Sequence, residues 1–153
     1  MSDLHPDVRE LALSVFGANG RLVSAGNDLV AALGLTSAWW QVLAALHYSP
    51  APHTVASIAR AMGLTRQAVQ RIADLLAERG LVAFHPNPHH RRAKLVVLTP
   101  AGSTALIGAE QAVAPLDEAI VDRIGVPRIR EAIATLHAMI AVISERLDPS
   151  DAL

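Results

Sequence analysis

Four side chains that can form paired hydrogen bonds occur within the segment 66–71. At about 100° per residue, a helix through this segment places them, together with Asp74, inside an arc of roughly 140°. The four are Arg66, Gln67, Gln70 and Arg71. Arginine and glutamine can each bind a purine edge through two hydrogen bonds, and arginine also binds phosphate. Taken alone, this face is typical of any amphipathic helix, so the neighbouring segments decide its interpretation.

Further basic side chains follow in the segment 85–92, whose sequence is HPNPHHRR. Two short runs of β-prone residues flank it, LVAF at 81–84 and KLVVL at 94–98. Turn-forming residues between two such runs predict a β-hairpin, here with Arg91 and Arg92 at its tip.

Charge is distributed unevenly along the chain. Residues 54–94 contain seven basic and two acidic residues, a net charge of +5, whereas the rest contains six basic and twelve acidic residues. A basic segment within an acidic chain suits a phosphate-binding surface, because each neutralised phosphate releases condensed counterions.

Two short helices are predicted immediately before the hairpin. Thr54 and Thr65 are favourable N-caps for helices over 55–62 and 66–79, and Gly63 lies in the break between them. Two helices joined by a glycine-containing turn and followed by a hairpin form a winged helix-turn-helix, whose second helix enters the major groove of DNA.

Longer helices with apolar stripes are predicted on both sides of this unit. Their ranges are 7–33, 36–48, 100–124 and 126–147. Gly17 to Gly20 predict a bend or a close helix crossing, and Pro115 predicts a kink.

The predicted fold class is therefore mainly α with a small β-hairpin wing (α+β), arranged as a winged helix-turn-helix with N- and C-terminal dimerisation helices. We expect a single domain over 1–153, with a DNA-binding lobe over 36–99. Residues 7–33 and 100–147 are expected to form a homodimer, because the amphipathic last helix has little to pack against within so small a lobe.

The segment 58–72, IARAMGLTRQAVQRI, resembles the helix-turn-helix of the MarR family of bacterial transcription regulators. The continuation, with LLAERGLV at 75–82 and RRAKL at 91–95, is similar to the wing of that family. The likeness covers about residues 36–102. It implies a dimer with interlocked terminal helices that binds a palindromic operator in double-stranded DNA, with a wing arginine in a minor groove. The predicted DNA-binding residues are Thr65, Arg66, Gln67, Gln70, Arg71, His90, Arg91 and Arg92.

One position departs from the family pattern. The wing of the family often carries Asp-x-Arg, in which the aspartate orients the arginine, and His90 stands at the aspartate position here. We therefore expect Arg92 to be the groove residue, with its support from His90 left open.

The two tryptophans are candidates for an effector pocket. We expect Trp40 to pack in the core and Trp39 to line a pocket between the dimer helices and the DNA-binding lobe. The resemblance implies a small aromatic or phenolic effector there, and we expect no other cofactor. No cysteine is present, and His89 and His90 are adjacent and point in different directions, so we predict no metal site.

Other functional classes lack their sequence patterns. No Gly-x-Ser-x-Gly, phosphate-binding glycine loop or His-Glu-x-x-His occurs, so we predict that the protein is not an enzyme. No signal peptide or membrane span is recognisable, and we expect a cytoplasmic protein without a membrane partner. The predicted function is a ligand-responsive transcription repressor. The alternatives are a constitutive DNA binder without an effector and a winged-helix protein-interaction module.

Overall fold

Six α-helices, one 3₁₀ helix and three β-strands make up most of residues 5–147, the part of the chain that this computed structural model describes. In order they are α1 (Pro6–Val30), the 3₁₀ helix (Ala31–Leu33), α2 (Ser37–Tyr48), β1 (His53–Thr54), α3 (Val55–Met62), α4 (Arg66–Glu78), β2 (Val82–His85), β3 (Leu95–Leu98), α5 (Pro100–Ile124) and α6 (Val126–Leu147). The chain divides into two units, Met1–Val113 and Ala114–Leu153. The predicted class, mainly helical with a small wing, is confirmed.

Threonine side chains begin three helices of the first unit. The Thr54 hydroxyl oxygen accepts a hydrogen bond from the Ser57 N–H, and the Ser57 hydroxyl oxygen accepts one from the Thr54 N–H, which completes a capping box. Thr65 caps α4 through the Ala68 N–H at 3.1 Å, and Thr36 caps α2 in the same way. Each cap stabilises its helix by about 1 kcal/mol. Helix α4 therefore begins at Arg66, as the sequence predicted.

The wing contains three antiparallel strands in the order β1-β3-β2, one more than the predicted hairpin. Val82 pairs with Leu98 at one end of the hairpin, and His53 of β1 pairs with Val96 on the other edge of β3. The sequence did not reveal β1 because two residues cannot show an alternating pattern and the proline-rich segment 49–52 precedes them.

Aliphatic side chains from the helices and the sheet form the core of the first unit. The largest fully buried ones are Leu43, Ile58, Leu76, Leu106, Val30, Val42 and Val69. Burying a side chain of this kind contributes about 1.5–3 kcal/mol. Two of them, Val69 and Leu76, belong to α4 and hold its inner face against the core.

The base of the wing is held against the start of α5. The Thr99 hydroxyl donates to the Gly80 carbonyl at 2.7 Å, and the Thr99 N–H donates to the Leu81 carbonyl at 3.1 Å. Gly102 approaches so closely that an added Cβ would lie 2.0 Å from the Leu81 carbonyl oxygen. The packing of α5 on the wing therefore requires glycine at this position.

Among the described residues no helix closely approaches α1 at Gly17 or Gly20, and the alternative prediction of a bend there stays a prediction. It is assigned as one helix from Pro6 to Val30, and no other group lies within 4 Å of a Cβ built on Gly17 or Gly20. The close approach occurs instead at Gly26, where an added Cβ would lie 2.8 Å from the Ser37 hydroxyl oxygen of α2. Small residues mark where helices can approach, but the sequence does not say which of several glycines is used.

Large apolar side chains remain exposed on the terminal helices. In α1, Phe16 is 71% exposed, and Val8, Leu13 and Leu22 are exposed as well. Helix α6 has no buried residue, and its apolar stripe includes Ile140, 56% exposed.

Helix α5 continues through Pro115 without a break, and the kink predicted at this residue stays a prediction. Proline removes one hydrogen bond from a helix, to the carbonyl four residues before it. Gln111 and Pro115 are both exposed, so water can satisfy the carbonyl that is left free.

No single helix among residues 5–147 combines the length and the hydropathy of a membrane span. The segments Pro6–Leu33 and Ser37–Tyr48 meet the length and hydropathy criteria only when they are taken together, and the two are bent by 86° relative to each other. Residues 1–4, on which the prediction of no signal peptide rests in part, lie outside the described residues.

Candidate nucleic-acid interface

A tight turn sets the direction of α4 relative to α3. Gly63 has φ of 64°, a left-handed conformation that glycine adopts without steric cost. The Leu64 N–H donates to the Ala59 carbonyl at 2.9 Å and closes the end of α3. Thr65 then caps α4, so three residues connect the two helices.

Helix α4 presents its polar side chains to solvent. Val69, Ala73 and Leu76 are buried, whereas the predicted contact residues on the opposite face are exposed. The exposed set is Arg66, Gln67, Gln70, Arg71 and Asp74. The polar arc deduced from the sequence is therefore confirmed as the exposed face of the helix.

Two successive turns shape the tip of the wing. The Asn87 side-chain oxygen accepts from the His89 N–H at 3.0 Å, and the Asn87 carbonyl accepts from the His90 N–H at 3.3 Å. The His90 carbonyl then accepts from the Ala93 N–H at 3.3 Å. Arg91 and Arg92 are thus the two central residues of a turn, and both are exposed.

His90 occupies the position at which the family often has the aspartate that orients the wing arginine. The backbone carbonyl of His90 closes the turn that carries Arg92. Among the hydrogen bonds of the described residues, none joins the His90 side chain to Arg92. The backbone of this turn therefore supports Arg92 in this chain, while contact between His90 and a phosphate stays a prediction.

A cleft of about 530 Å³ lies between α4 and the wing. It is lined by Thr54, Val55, Ala56, Arg66, Gln67, Gln70, Asp74, Phe84, Arg92, Ala93 and Lys94. Three cationic side chains and one carboxylate line it, which gives it a positive charge. Four of the predicted DNA-binding residues meet here, namely Arg66, Gln67, Gln70 and Arg92. Thr65, Arg71, His90 and Arg91 are exposed but do not line the cleft.

Seven residues of this cleft are absent from the predicted DNA-binding set, and three of them bear most on its chemistry. Lys94 is the only lysine of the chain; it directly precedes β3 at the tip end of the wing and lines the cleft together with Arg92. Its place in the basic segment is a signal for DNA binding, although the same residue also begins a β-prone run. Asp74 lies on the polar arc of α4 and accepts a hydrogen bond from Gln70. Phe84 of β2 forms part of the cleft wall, and no pattern in the sequence distinguishes it from a core residue.

Trp39 packs against the core and carries a charged partner. The Arg79 guanidinium carbon lies 5.1 Å from the centroid of the Trp39 ring, within the range of a cation–π contact. Arg79 also donates to the Gly34 carbonyl at 3.2 Å. Because Arg79 is the C-cap of α4, these contacts connect the end of α4 to the segment between α1 and α2.

Trp40 packs against the core, as the sequence suggested, and its indole N–H has no acceptor among the described residues. Neither the cleft beside α4 nor a second cleft, of about 350 Å³ between residues 49–53 and β3, is lined by a tryptophan. Within residues 5–147, no group of three His, Asp or Glu side chains is placed to hold a metal ion.

Comparison with known proteins identifies the family. A family model described as the MarR family matches residues 33–93, which include every residue lining the cleft except Lys94. An uncharacterised protein of Mycobacterium tuberculosis is 32% identical over 143 residues, 94% of this chain and 96% of that protein. The chain belongs to the MarR family.

Solved structures of MarR-family proteins have the same fold. A MarR-family transcriptional regulator from Rhodococcus sp. RHA1 is 25% identical, with a TM-score of 0.73 over 90% of this chain and 96% of that one. The transcriptional repressor CouR, solved bound to a 23-mer DNA duplex, is 28% identical, with a TM-score of 0.69 over 92% of this chain and 99% of CouR. This chain therefore has the winged-helix fold of MarR-family transcription regulators.

Proposed function

We propose that this MarR-family protein is a transcription repressor that binds a palindromic operator in double-stranded DNA as a homodimer and releases it when a small ligand binds. The observation that carries the proposal is the cleft between α4 and the wing, because it joins base-reading and phosphate-binding side chains from two elements. The structure of CouR on a DNA duplex supports this assignment by similarity.

The cleft supports a division of roles between the helix and the wing. Arg66, Gln67 and Gln70 extend from the exposed face of α4. An α-helix fits into the major groove of B-DNA, so these side chains can reach base edges there. Arg92 and Lys94 extend from the wing and supply positive charge, which a narrow minor groove and the flanking phosphates attract. The helix then selects the sequence, and the wing supplies affinity.

The exposed apolar side chains support dimerisation. Val8, Leu13 and Phe16 in α1 are exposed, as are Ile133, Ile140 and Ile143 in α6. Large apolar surfaces that remain uncovered within one chain are typical of interfaces between subunits. A two-fold dimer presents two copies of α4 to half-sites one helical turn of DNA apart, about 34–36 Å.

The ligand in this proposal is a small aromatic or phenolic compound. The buried indole N–H of Trp40 has no acceptor among the described residues, and a phenol or carboxylate oxygen that entered beside it would accept its hydrogen bond. Trp39 offers an aromatic face, but Arg79 lies over its ring. We infer that a ligand that stacks on Trp39 displaces Arg79 and thereby alters the support of α4.

Thermal-shift measurements with a set of phenolic acids test the ligand. A compound that binds the folded protein raises its melting temperature, and its effect on operator affinity is then measured with the selected duplex in the presence and absence of that compound. Trp39→Ala should abolish the response, whereas Arg79→Ala, which removes the charged partner of Trp39 and the hydrogen bond to Gly34 but leaves the ring in place, should still show a shift in melting temperature. If no compound shifts the melting temperature, or if Trp39→Ala responds as the wild type does, a constitutive DNA binder is the better description.

Operator selection tests DNA binding itself. Duplexes selected by the protein from random or genomic DNA are compared with scrambled duplexes of equal length at fixed salt. We expect selected duplexes to bind about 10³-fold more tightly or better, the lower limit typical of specific regulators. No duplex affinity even at low salt would contradict the proposal and favour a winged-helix module that binds proteins.

A further inference from the structure

Asp74 is the one carboxylate among the residues that line the cleft, where phosphate repulsion makes an acidic side chain unfavourable. It accepts a hydrogen bond from the side-chain amide of Gln70, with 2.8 Å between Nε2 and Oδ1. Both side chains are exposed on α4, and they lie one helical turn apart. An acidic residue on a surface that binds DNA requires an explanation.

We propose that Asp74 is a specificity-determining positioning residue, which fixes the amide of Gln70 in the orientation that recognises adenine and disfavours guanine. This inference rests on the proposed function, because it assigns a role within the DNA-binding surface of α4.

The direction of an amide depends on its partner. A glutamine amide has two N–H donors on one end and a carbonyl acceptor on the other, and either end can face a given neighbour. A carboxylate only accepts hydrogen bonds, so it attracts the nitrogen of Gln70 and repels its oxygen. The 2.8 Å contact therefore sets which end of the amide faces Asp74 and which remains free.

The hydrogen-bonding capacity that remains on Gln70 matches one purine. One N–H of Nε2 is used by Asp74, which leaves one N–H donor and the carbonyl oxygen. Adenine presents an acceptor at N7 and a donor at N6 in the major groove, which pair with this set. Guanine presents acceptors at both N7 and O6, so the fixed carbonyl of Gln70 would face another oxygen.

Without Asp74, the amide can rotate and donate to either purine. Without Asp74, the Gln70 side chain also loses rotational freedom when it binds a base. The hydrogen bond to Asp74 restricts this freedom before binding and so lowers the entropic cost. Asp74 then improves discrimination without touching a base.

Substitution within a double-mutant cycle tests this inference. The operator selected by the wild-type protein is first varied at each base pair, and the pair at which Gln70→Ala loses its preference for A·T marks the contact of Gln70. The ratio of dissociation constants for G·C and A·T at that pair is then measured for Asp74→Ala, for Gln70→Ala and for the double variant. Glu78→Ala is the matched control, because it removes the same charge from an exposed position of α4 that lies outside the cleft.

We expect a ratio of about tenfold or more in the wild type and in Glu78→Ala, the effect of one good two-bond contact. Asp74→Ala should lower the ratio at least about threefold, and it should have no further effect once Gln70 is alanine. The inference is overturned if Asp74→Ala keeps the wild-type ratio, or if it lowers the ratio equally in the Gln70→Ala background. A change in melting temperature with unchanged discrimination would likewise show that Asp74 only stabilises the helix. Absence of any specific duplex would instead count against the proposed function, which is a separate result.

Discussion

Arg91 and Arg92 are neighbours in the wing turn, but only Arg92 lines the cleft. Arg92→Ala should weaken binding to most duplexes, since a contact in the minor groove or to phosphate carries little sequence information. Losing one such contact makes the plot of log affinity against log salt concentration shallower by about one unit. Arg123→Ala removes the same charge from an exposed position of α5 that does not line the cleft and is the matched control. Salt titrations of both variants on selected and scrambled duplexes check this, and equal slopes for wild type and Arg92→Ala would exclude Arg92 from the interface.

Single residues also show how far the sequence could predict the site. The exposed arc of Arg66, Gln67 and Gln70 followed from helical periodicity, and the structure brings these three side chains together with Arg92. The hydrogen bond between Gln70 and Asp74 was not foreseen, although the spacing of four residues allows it. A carboxylate on a polar helix face has several possible hydrogen-bond partners, and only the folded structure shows that Asp74 binds Gln70.

Among the elements, the junction between the wing and α5 makes the most demanding packing contact. Gly102→Ala places a methyl group 2.0 Å from a backbone carbonyl oxygen and 2.7 Å from a Leu98 methyl carbon. We expect it to lower the free energy of unfolding by about 1–3 kcal/mol, although alanine favours the helix itself. Gly108→Ala in the same helix is the control, because its nearest neighbour would be at 3.6 Å, an ordinary contact. Denaturant unfolding of both variants checks this, and similar stabilities would refute the close approach.

Helices and strands could be predicted from the sequence where the residues that determine them lie close together in the chain. Threonine caps and left-handed glycines act within one turn of chain, so the starts of α2, α3 and α4 were predicted correctly. Strand β1 exists only because β3 offers a free edge, and the close approach at Gly26 exists only because α2 packs there. Such features depend on contacts distant in sequence, which the periodicity of one segment does not contain.

At the scale of the whole molecule, the uncovered apolar side chains of α6 bear on assembly. Ile140→Asp should convert the dimer to monomer and abolish operator binding, because an unpaired carboxylate in an apolar interface is strongly unfavourable. Ala138→Asp adds the same charge at an exposed position on the opposite side of the helix and should remain dimeric. Light scattering at micromolar concentration measures the mass of each variant. A monomeric wild type, or equal behaviour of the two variants, would contradict the proposed dimer.

If DNA occupies the cleft between α4 and the wing, it covers Lys94, and the reactivity of this side chain reports directly on DNA binding. Lys94 is exposed, lines the cleft and is the only lysine of the chain, so its modification by an amine-reactive reagent can be followed by mass spectrometry without ambiguity. The labelling rate of Lys94 is measured for the protein without DNA, with the selected operator at ten times its dissociation constant, and with a scrambled duplex. A free lysine-containing peptide in each sample reports on the activity of the reagent. We expect the operator to slow labelling of Lys94 about tenfold, because only about a tenth of the protein remains free at that concentration. An unchanged labelling rate on a fully bound operator would show that DNA binds elsewhere on the protein.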